Sequence, residues 1–306
     1  MPARTNLEVD VDGRKIKLTN LDKVMYPATG FTKGQVIDYY TRMYPYVGPH
    51  LAERPLTLKR YPNGVEGDFF YEKQCPRHRP DWVKTIAVFS RHNNADINFC
   101  VVDQLATLVW LAQLADLELH TSMAYAVDPE NPKQMVFDLD PGPGTDIIDC
   151  ARVGCWLRDV FDHFGLKSFP KTSGSKGLQL YVPLNQDDIG YVPGTKTFAR
   201  ACAQLLEKQH PETVVSDMRK DLRAGKVLID WSQNDEHKTT VCAYSLRAKE
   251  RPTVSTPVTW DEVEDALAAK DTEMLTFDSA QVLDRVERHG DLFAPVVELE
   301  QELPKL

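Results

Sequence analysis

From Leu7 to Leu18 apolar and polar residues alternate, and the alternation breaks once, at Asp12-Gly13. Period-two patterning around an Asp-Gly break predicts a β-hairpin. Thr32 is placed to cap a helix running to about Tyr46, before Val47-Gly48-Pro49. Leu56 to Tyr61 reads as a strand stopped by the Asn63-Gly64 turn. Asp103 can cap a long apolar helix through about Leu117, with Leu105, Leu108, Val109, Leu111 and Ala112 as core. Further helices are predicted from Asp149 to Phe164, closed by Gly165, and from Thr195 to Gln209, closed by His210-Pro211. Thr259 and Ser279 are candidate caps for two terminal helices. Apolar strands lie between, around Met135 to Leu139, Leu178 to Leu184 and Val227 to Ile229. Strands and helices interleave without repeats or low-complexity linkers, which predicts a mixed α/β fold with its chemistry on one sheet face.

Chemistry enters where three of these strands end. Met135-Val136-Phe137 runs straight into Asp138-Leu139-Asp140, and Pro141-Gly142 stops the strand. Residues i and i+2 of a strand share a face, so two carboxylates sit side by side. Unpaired, they repel and raise each other's pKa. A divalent metal removes that conflict, and hard ions such as Mg²⁺ take oxygen ligands. A plain strand-end turn would account for the same letters. The second segment is Lys171-Thr172-Ser173-Gly174-Ser175-Lys176-Gly177, followed by an alternating strand. Glycines let backbone N–H groups approach an anion, and serine and lysine add side-chain donors. Walker A spacing is absent, and a hairpin turn with a surface lysine is the plainer alternative. The third is Lys226-Val227-Leu228-Ile229-Asp230-Trp231-Ser232-Gln233-Asn234, another apolar strand ending in a carboxylate. A third carboxylate from a separate strand is what a two-metal phosphoryl-transfer site needs.

In this order the three segments resemble motifs I, II and III of the archaeo-eukaryotic primase superfamily, above all the polymerase domain of the bacterial end-joining ligase D and its stand-alone relatives. The resemblance begins at Leu18-Thr19-Asn20-Leu21-Asp22-Lys23 and continues through Leu58-Lys59-Arg60-Tyr61-Pro62-Asn63-Gly64 and Phe69-Phe70-Tyr71-Glu72-Lys73. It ends near Tyr244-Ser245-Leu246-Arg247 and Pro252-Thr253-Val254. It implies a primase-like catalytic core, a central, mostly antiparallel sheet flanked by helices. It implies a single catalytic domain over 1–306, with a DNA-contacting part over about 1–130, catalytic motifs over about 131–255 and acidic helices over about 259–306.

The resemblance also implies roles. Asp138, Asp140 and Asp230 would hold two divalent ions, Mg²⁺ or Mn²⁺. Ser173, Lys176 and Arg247 would contact the triphosphate of an NTP or dNTP. Lys23 and Lys33 would grip a 5′-phosphate across a gap, and Phe69 and Phe70 would stack on template bases; Lys59 and Arg60 are placed along the DNA by their basic clustering, not by the resemblance. Gln179 stands where the family usually has histidine; glutamine can donate a hydrogen bond but cannot become cationic. The implied activity is template-directed nucleotidyl transfer that fills short gaps or extends broken ends in end joining, beside a separate ligase and an end-binding protein. Two alternatives stand beside it. A haloacid dehalogenase-type phosphatase would also use Asp138-Leu139-Asp140, but Pro141-Gly142 and the position deep in the chain disfavour it. A non-catalytic binder of DNA ends would tolerate Gln179.

Composition changes the picture at two points. The net charge of −9 looks wrong for a partner of DNA. Of 45 acidic and 36 basic residues, however, 13 and 4 lie from Trp260 onwards, which leaves residues 1–259 with 32 of each. On that neutral body basic residues cluster: Arg14, Lys15, Lys17, Lys23 and Lys33; Lys59 and Arg60; Arg77, Arg79 and Arg91; Arg219, Lys220, Arg223 and Lys226; Arg247, Lys249 and Arg251. A basic stripe of this kind suits a phosphate backbone. The six cysteines contain no Cys-x-x-Cys pair, so free buried thiols are expected and zinc is not; Cys75, His78, His92 and Cys100 are too irregular for a ribbon. No apolar run is long enough to span a bilayer and the start is polar, so a cytoplasmic, nucleoid-associated protein is expected.

Overall fold

In a computed structural model, which describes residues 6–90 and 93–305, the hairpin forms where the alternation places it. Arg91 and His92 lie outside the described residues. β1 (Asn6–Val11) and β2 (Arg14–Thr19) pair antiparallel, and Asp12 and Gly13 both take positive φ, as a two-residue turn of this hand demands. β3 (Val24–Tyr26) and β4 (Phe31–Thr32) then lead into α1 (Lys33–Leu51). Thr32 caps α1 in a reciprocal box with Gln35. The helix runs past Tyr46 and through Pro45 and Pro49. An interior proline costs about 3 kcal/mol, whereas each fully buried large apolar side chain returns about 1.5–3. Val36, Tyr39, Tyr40, Met43, Val47 and Leu51 are all buried on one face, so packing outweighs the broken bonds.

β5 (Leu56–Arg60), β6 (Phe70–Glu72), β7 (Thr85–Ser90) and β8 (Ala95–Cys100) come next. The apolar stretch expected as one helix to Leu117 divides. α2 (Leu105–Gln113) starts at Gln104 without a side-chain cap, Ala115 turns the chain at φ 61°, and β9 (Asp116–Thr121) begins directly. A segment buried on all sides shows no period by which to tell strand from helix. The first sheet, completed by a later strand β15, has the order β15-β9-β5-β8-β7, with β6 on β5.

The second sheet carries Asp138, Asp140 and Asp230. β10 (Gln134–Pro141) is followed by α3 (Ile147–His163), β11 (Phe169–Thr172), β12 (Leu178–Pro183), α4 (Lys196–Gln209), β13 (Val214–Val215) and β14 (Val227–Asp230). Its order is β11-β12-β10-β14-β13, antiparallel except between β13 and β14. One core joins α1 and α2 to the first sheet; a second joins Phe137, Leu139, Leu178 and Ile229 to α3 and α4. β15 (Thr240–Val241) returns the chain to β9, and α5 (Trp260–Ala269), α6 (Ser279–His289) and α7 (Pro295–Glu298) follow.

Local punctuation differs at two caps. Asp146, boxed with Asp149, starts α3, and Asp278, boxed with Gln281, starts α6 in place of Ser279. Not all the thiols are free. Cys75 and Cys100 form a disulfide, while Cys150, Cys155, Cys202 and Cys242 are unpaired. The Cys75 N–H donates to Asn98 O at 2.7 Å, and this long-range contact, invisible in the spacing, draws the two thiols together. Among the described residues no helix is long and apolar enough to cross a membrane.

Candidate active site

Register assembles the site. Asp138 of β10 lies opposite Gln179 of β12 on one side and Asp230 of β14 on the other, and Gln179 lies opposite Lys171 of β11. Directly opposed residues share a sheet face, so Lys171, Gln179, Asp138 and Asp230 form one transverse row, with Asp140 beside it. The opposite face of β10 buries Phe137 and Leu139 under α3, which fixes the register against slipping.

Within the row each side chain is held. Lys171 Nζ donates to Gln179 Oε1 and, at 2.6 Å, to Ser255 Oγ. Gln179 Nε2 donates to Asp138 Oδ1 at 3.0 Å, so the lysine fixes which way the amide points. Asp230 Oδ1 accepts from Ser232 N at 2.9 Å and Ser232 Oγ at 2.6 Å, and Oδ2 accepts from Gln233 Nε2 at 3.2 Å. Burial, then the neighbouring Asp140, pushes the Asp138 carboxyl up to about 7. Asp140 is raised as well, by burial and by Asp230. Burial lowers Lys171 to about 7.

The donor set suits a hard divalent cation: three carboxylates on one face whose mutual repulsion already raises two of them. Among the described residues no group of three or more His, Cys, Asp or Glu side chains stands assembled as a metal centre. Asp138 and Asp230 are engaged by Gln179, Ser232 and Gln233 instead.

Over the row opens a cavity of about 590 Å³. The Ser173–Gly177 turn forms one wall. Ser173 Oγ accepts from Ser175 N and Gly177 N, which pins the turn and leaves Ser175 and Lys176 exposed. Glycine is required twice: Gly174 has φ 65°, and a Cβ on Gly177 would lie 2.3 Å from Leu139 O. Lys176, Arg223 and Arg247 line the same cavity as Asp138 and Asp140. Arg247 Nη1 donates to Ser173 O, and its Nε lies 3.4 Å from Glu118 Oε2.

The residues expected to meet DNA divide into two kinds. Phe69, Phe70 and the neighbouring Tyr71 are 50%, 43% and 56% exposed. Side chains on both faces of β6 reach solvent because β6 pairs with β5 alone. Lys59 and Arg60 turn inward: Lys59 Nζ lies 3.3 Å from Glu118 Oε2 and 4.7 Å from the Phe69 ring centroid, while Arg60 pairs with Glu72 at 2.7 Å beneath Phe70. Lys23 and Lys33 stand side by side, joined by a backbone bond from Lys33 N to Lys23 O. Lys33 Nζ donates to Thr19 O at 2.9 Å, and burial and then Lys23 lower it to about 8.

Sequence reasoning missed Lys171, Ser255, Tyr71, Glu118 and His120. Lys171 was within reach, since a hairpin closed over Ser173–Gly177 sets it opposite Gln179. Alternation in Asp116-Leu117-Glu118-Leu119-His120 pointed to the last two.

Residues 32–293 match the family described as the LigD primase-polymerase domain. The chain is 42% identical over 284 residues to the multifunctional non-homologous end joining protein LigD of Mycolicibacterium smegmatis, covering 92% of this chain and 36% of that protein. It is 32% identical over 276 residues to the bifunctional LigD of Bacillus subtilis, covering 90% and 43%. It thus spans less than half the length of these relatives. Its fold matches the polymerase domain from Mycobacterium tuberculosis ligase D in complex with DNA, with a TM-score of 0.86 and 39% identity over 94% of this chain and 99% of that one. The chain belongs to the LigD primase-polymerase domain family.

Proposed function

We propose that the chain is a template-directed nucleotidyltransferase that fills short gaps or extends ends during end joining of broken DNA. The observation that carries this reading is that Gln179, Asp138 and Asp140, with Asp230 paired beside Asp138, line one cavity with Lys176, Arg223 and Arg247, Asp230 itself lying outside its wall. Acceptors for cations and donors for phosphate share a space that fits a nucleotide. Asp138, Asp140 and Asp230 would hold two divalent ions, Mg²⁺ or Mn²⁺. When bound, such ions lower the cost of forming the attacking 3′-oxygen and of releasing pyrophosphate.

The chain's own groups do the rest. Lys176 and Arg247 bind the triphosphate of an NTP or dNTP and neutralise charge that grows on the leaving group. Ser173 shapes the turn that presents Lys176. Gln179 holds Asp138 and keeps one amide hydrogen for the nucleotide. Phe69, Phe70 and Tyr71 offer unpaired template bases an exposed aromatic surface, worth about 1–3 kcal/mol per stacked base. Lys59 and Arg60 support that surface from behind. Lys23 and Lys33 form the site for a 5′-phosphate across the gap. The two sheets act as one catalytic domain over 1–306, with a DNA ligase activity and an end-binding protein as partners.

Primer extension on a gapped duplex, with each metal and both sugar types, tests the reading. Nucleotide addition is expected from the unmodified chain and none from Asp138→Ala. Tight binding of the gap without extension under any of these conditions would replace the polymerase by a DNA-end binder.

A further inference from the structure

Glu118 is 1% exposed and stands between two regions with separate duties. Its strand alternates buried Leu117 and Leu119 with Asp116, Glu118 and His120. Glu118 Oε1 accepts from Ala248 N at 3.0 Å, directly after Arg247. Oε2 takes everything else: His120 Nε2 at 3.0 Å, Lys59 Nζ at 3.3 Å and Arg247 Nε at 3.4 Å. Lys59 reaches into a cluster of rings, with its ammonium 4.7 Å from the ring centroid of Phe69, 5.4 Å from Tyr61 and 5.5 Å from Tyr71, of which Tyr71 also lines the cavity. Arg247 lines the cavity itself, whose wall does not include Lys59.

We propose that Glu118 is a positioning residue that couples the template-stacking surface to the nucleotide pocket by sharing one carboxylate oxygen between Lys59 and Arg247. This rests on the polymerase reading of Arg247. Lys59 neutralises part of the carboxylate's charge, so Arg247 is held less firmly and stays available to a triphosphate. A base stacked on Phe69 and Tyr71 fixes the rings that cradle the ammonium, and with it that neutralisation. Template binding therefore favours nucleotide binding, and by linkage the nucleotide favours the template to the same degree. Arg60 and Glu72 form a comparable pair under Phe70, whereas the carboxylate beside Lys59 also meets Arg247 of the cavity wall, which sets Lys59 apart as the connecting cation.

The test measures binding of a fluorescent deoxynucleoside triphosphate in Mn²⁺ without any DNA, so that no effect can pass through stacking. Lys59→Met is expected to raise the nucleotide Kd about fivefold, within the range of coupling between contacting charged groups. Lys59→Arg should restore it. In a Glu118→Gln background Lys59→Met should add nothing. Unaltered nucleotide binding by Lys59→Met, or an undiminished effect of it beside Glu118→Gln, overturns the coupling while the polymerase reading stands. Should Glu118→Gln fail to fold, the Met and Arg variants at Lys59 decide alone. Absence of nucleotide binding by the unmodified chain overturns both readings.

Discussion

Asp138, half-buried in the cavity wall, and Glu118, buried behind Arg247 of the same wall, are both carboxylates, yet their surroundings push them in opposite directions. At Asp138 burial and the charges of Asp140 and Asp230 overcome one hydrogen bond from Gln179, and the carboxyl rises to about 7. At Glu118 burial also works upward, but the His120 hydrogen bond and the charges of Arg247, His120 and Lys59 overturn it, and the carboxyl lies well below its usual range. The catalytic row keeps an electrostatic conflict that cations arriving with the substrate can relieve. Around Glu118 the first sheet compensates the charge, and it offers aromatic surface at Phe69, Phe70 and Tyr71 instead. A buried carboxylate is therefore a ligand candidate when its neighbours leave it uncompensated, and a structural hub when they do not.

The sharpest break of that contrast is removal of the conflict. Asp138→Ala or Asp140→Ala should lower nucleotide addition by at least about a thousandfold, since the lost oxygens serve the transferring phosphoryl group. The fold should survive, because the buried Lys171 keeps its hydrogen bonds to Gln179 and Ser255. The pH dependence checks the same point. A carboxyl raised in the folded state contributes stability below its unfolded pKa, and that contribution is lost as pH rises towards about 7. Without divalent ions the Tm should fall over that window, and less so in Asp138→Asn. Added Mn²⁺ should raise the Tm at neutral pH in the unmodified chain but hardly in the variant. Equal Mn²⁺ stabilisation of both would show that Asp138 is no ligand.

Glu118→Ala should behave in the opposite way. It strands Lys59 and Arg247 beside a buried gap, and breaking a buried pair from one side costs about 3–5 kcal/mol. Because its carboxyl is depressed in the folded state, the stability it gives is present above the ordinary glutamate range and is lost as pH falls through that range and below. Chemical denaturation at pH 7 and pH 4 should show the variant's deficit shrinking on the acid side. A deficit that grows there would reverse the assignment of charge.

Gln179 sits at the junction of the two kinds of environment, and its effect is smaller. Gln179→Ala should raise the nucleotide KM by the equivalent of about 1–2 kcal/mol, the loss of one hydrogen bond near charge. Gln179→His should keep or improve affinity: a neutral imidazole can accept from Lys171 and donate to Asp138, as the amide does now. Steady-state kinetics on a gapped substrate separate the cases. An unchanged KM in Gln179→Ala would confine this side chain to holding Asp138.

What could be read from the chain follows the range of the signals. Asp138 and Asp140 were legible because strand parity and a Pro-Gly stop are local. The Asp12-Gly13 hairpin and the Thr32 cap were legible for the same reason. The register that sets Asp230 opposite Asp138 was not, since 92 residues separate them and only the packed core beneath fixes it. Lys59 and Arg60 read as DNA-facing from their charge alone, and their carboxylate partners at Glu118 and Glu72 become visible only when β5 pairs with β9 and β6. Glu118 and His120 were masked because an apolar run into Leu117 looked like one helix, and only the left-handed turn at Ala115 divides it.

Lys23 and Lys33 give the finest distinction, because they are cations outside either carboxylate cluster. Two ammonium groups this close are unfavourable by themselves, and the depressed Lys33 records that cost together with its burial. Lys33 also opens α1, where a cation opposes the helix dipole and an anion is welcome. Binding to gapped DNA should therefore prefer a downstream 5′-phosphate to a 5′-hydroxyl by about tenfold, the scale of one charge-assisted contact. The preference should fade as pH rises through about 8, where Lys33 loses its charge, well before an ordinary lysine would. Changing both lysines to alanine should erase it and flatten the dependence of log Kd on log salt by about two phosphate contacts. Extension of a simple primer–template without a downstream strand should change far less. If the unmodified chain binds phosphorylated and hydroxyl-ended gaps equally, the pair is a surface feature and the 5′-phosphate site lies elsewhere, while the row at Asp138 keeps its role.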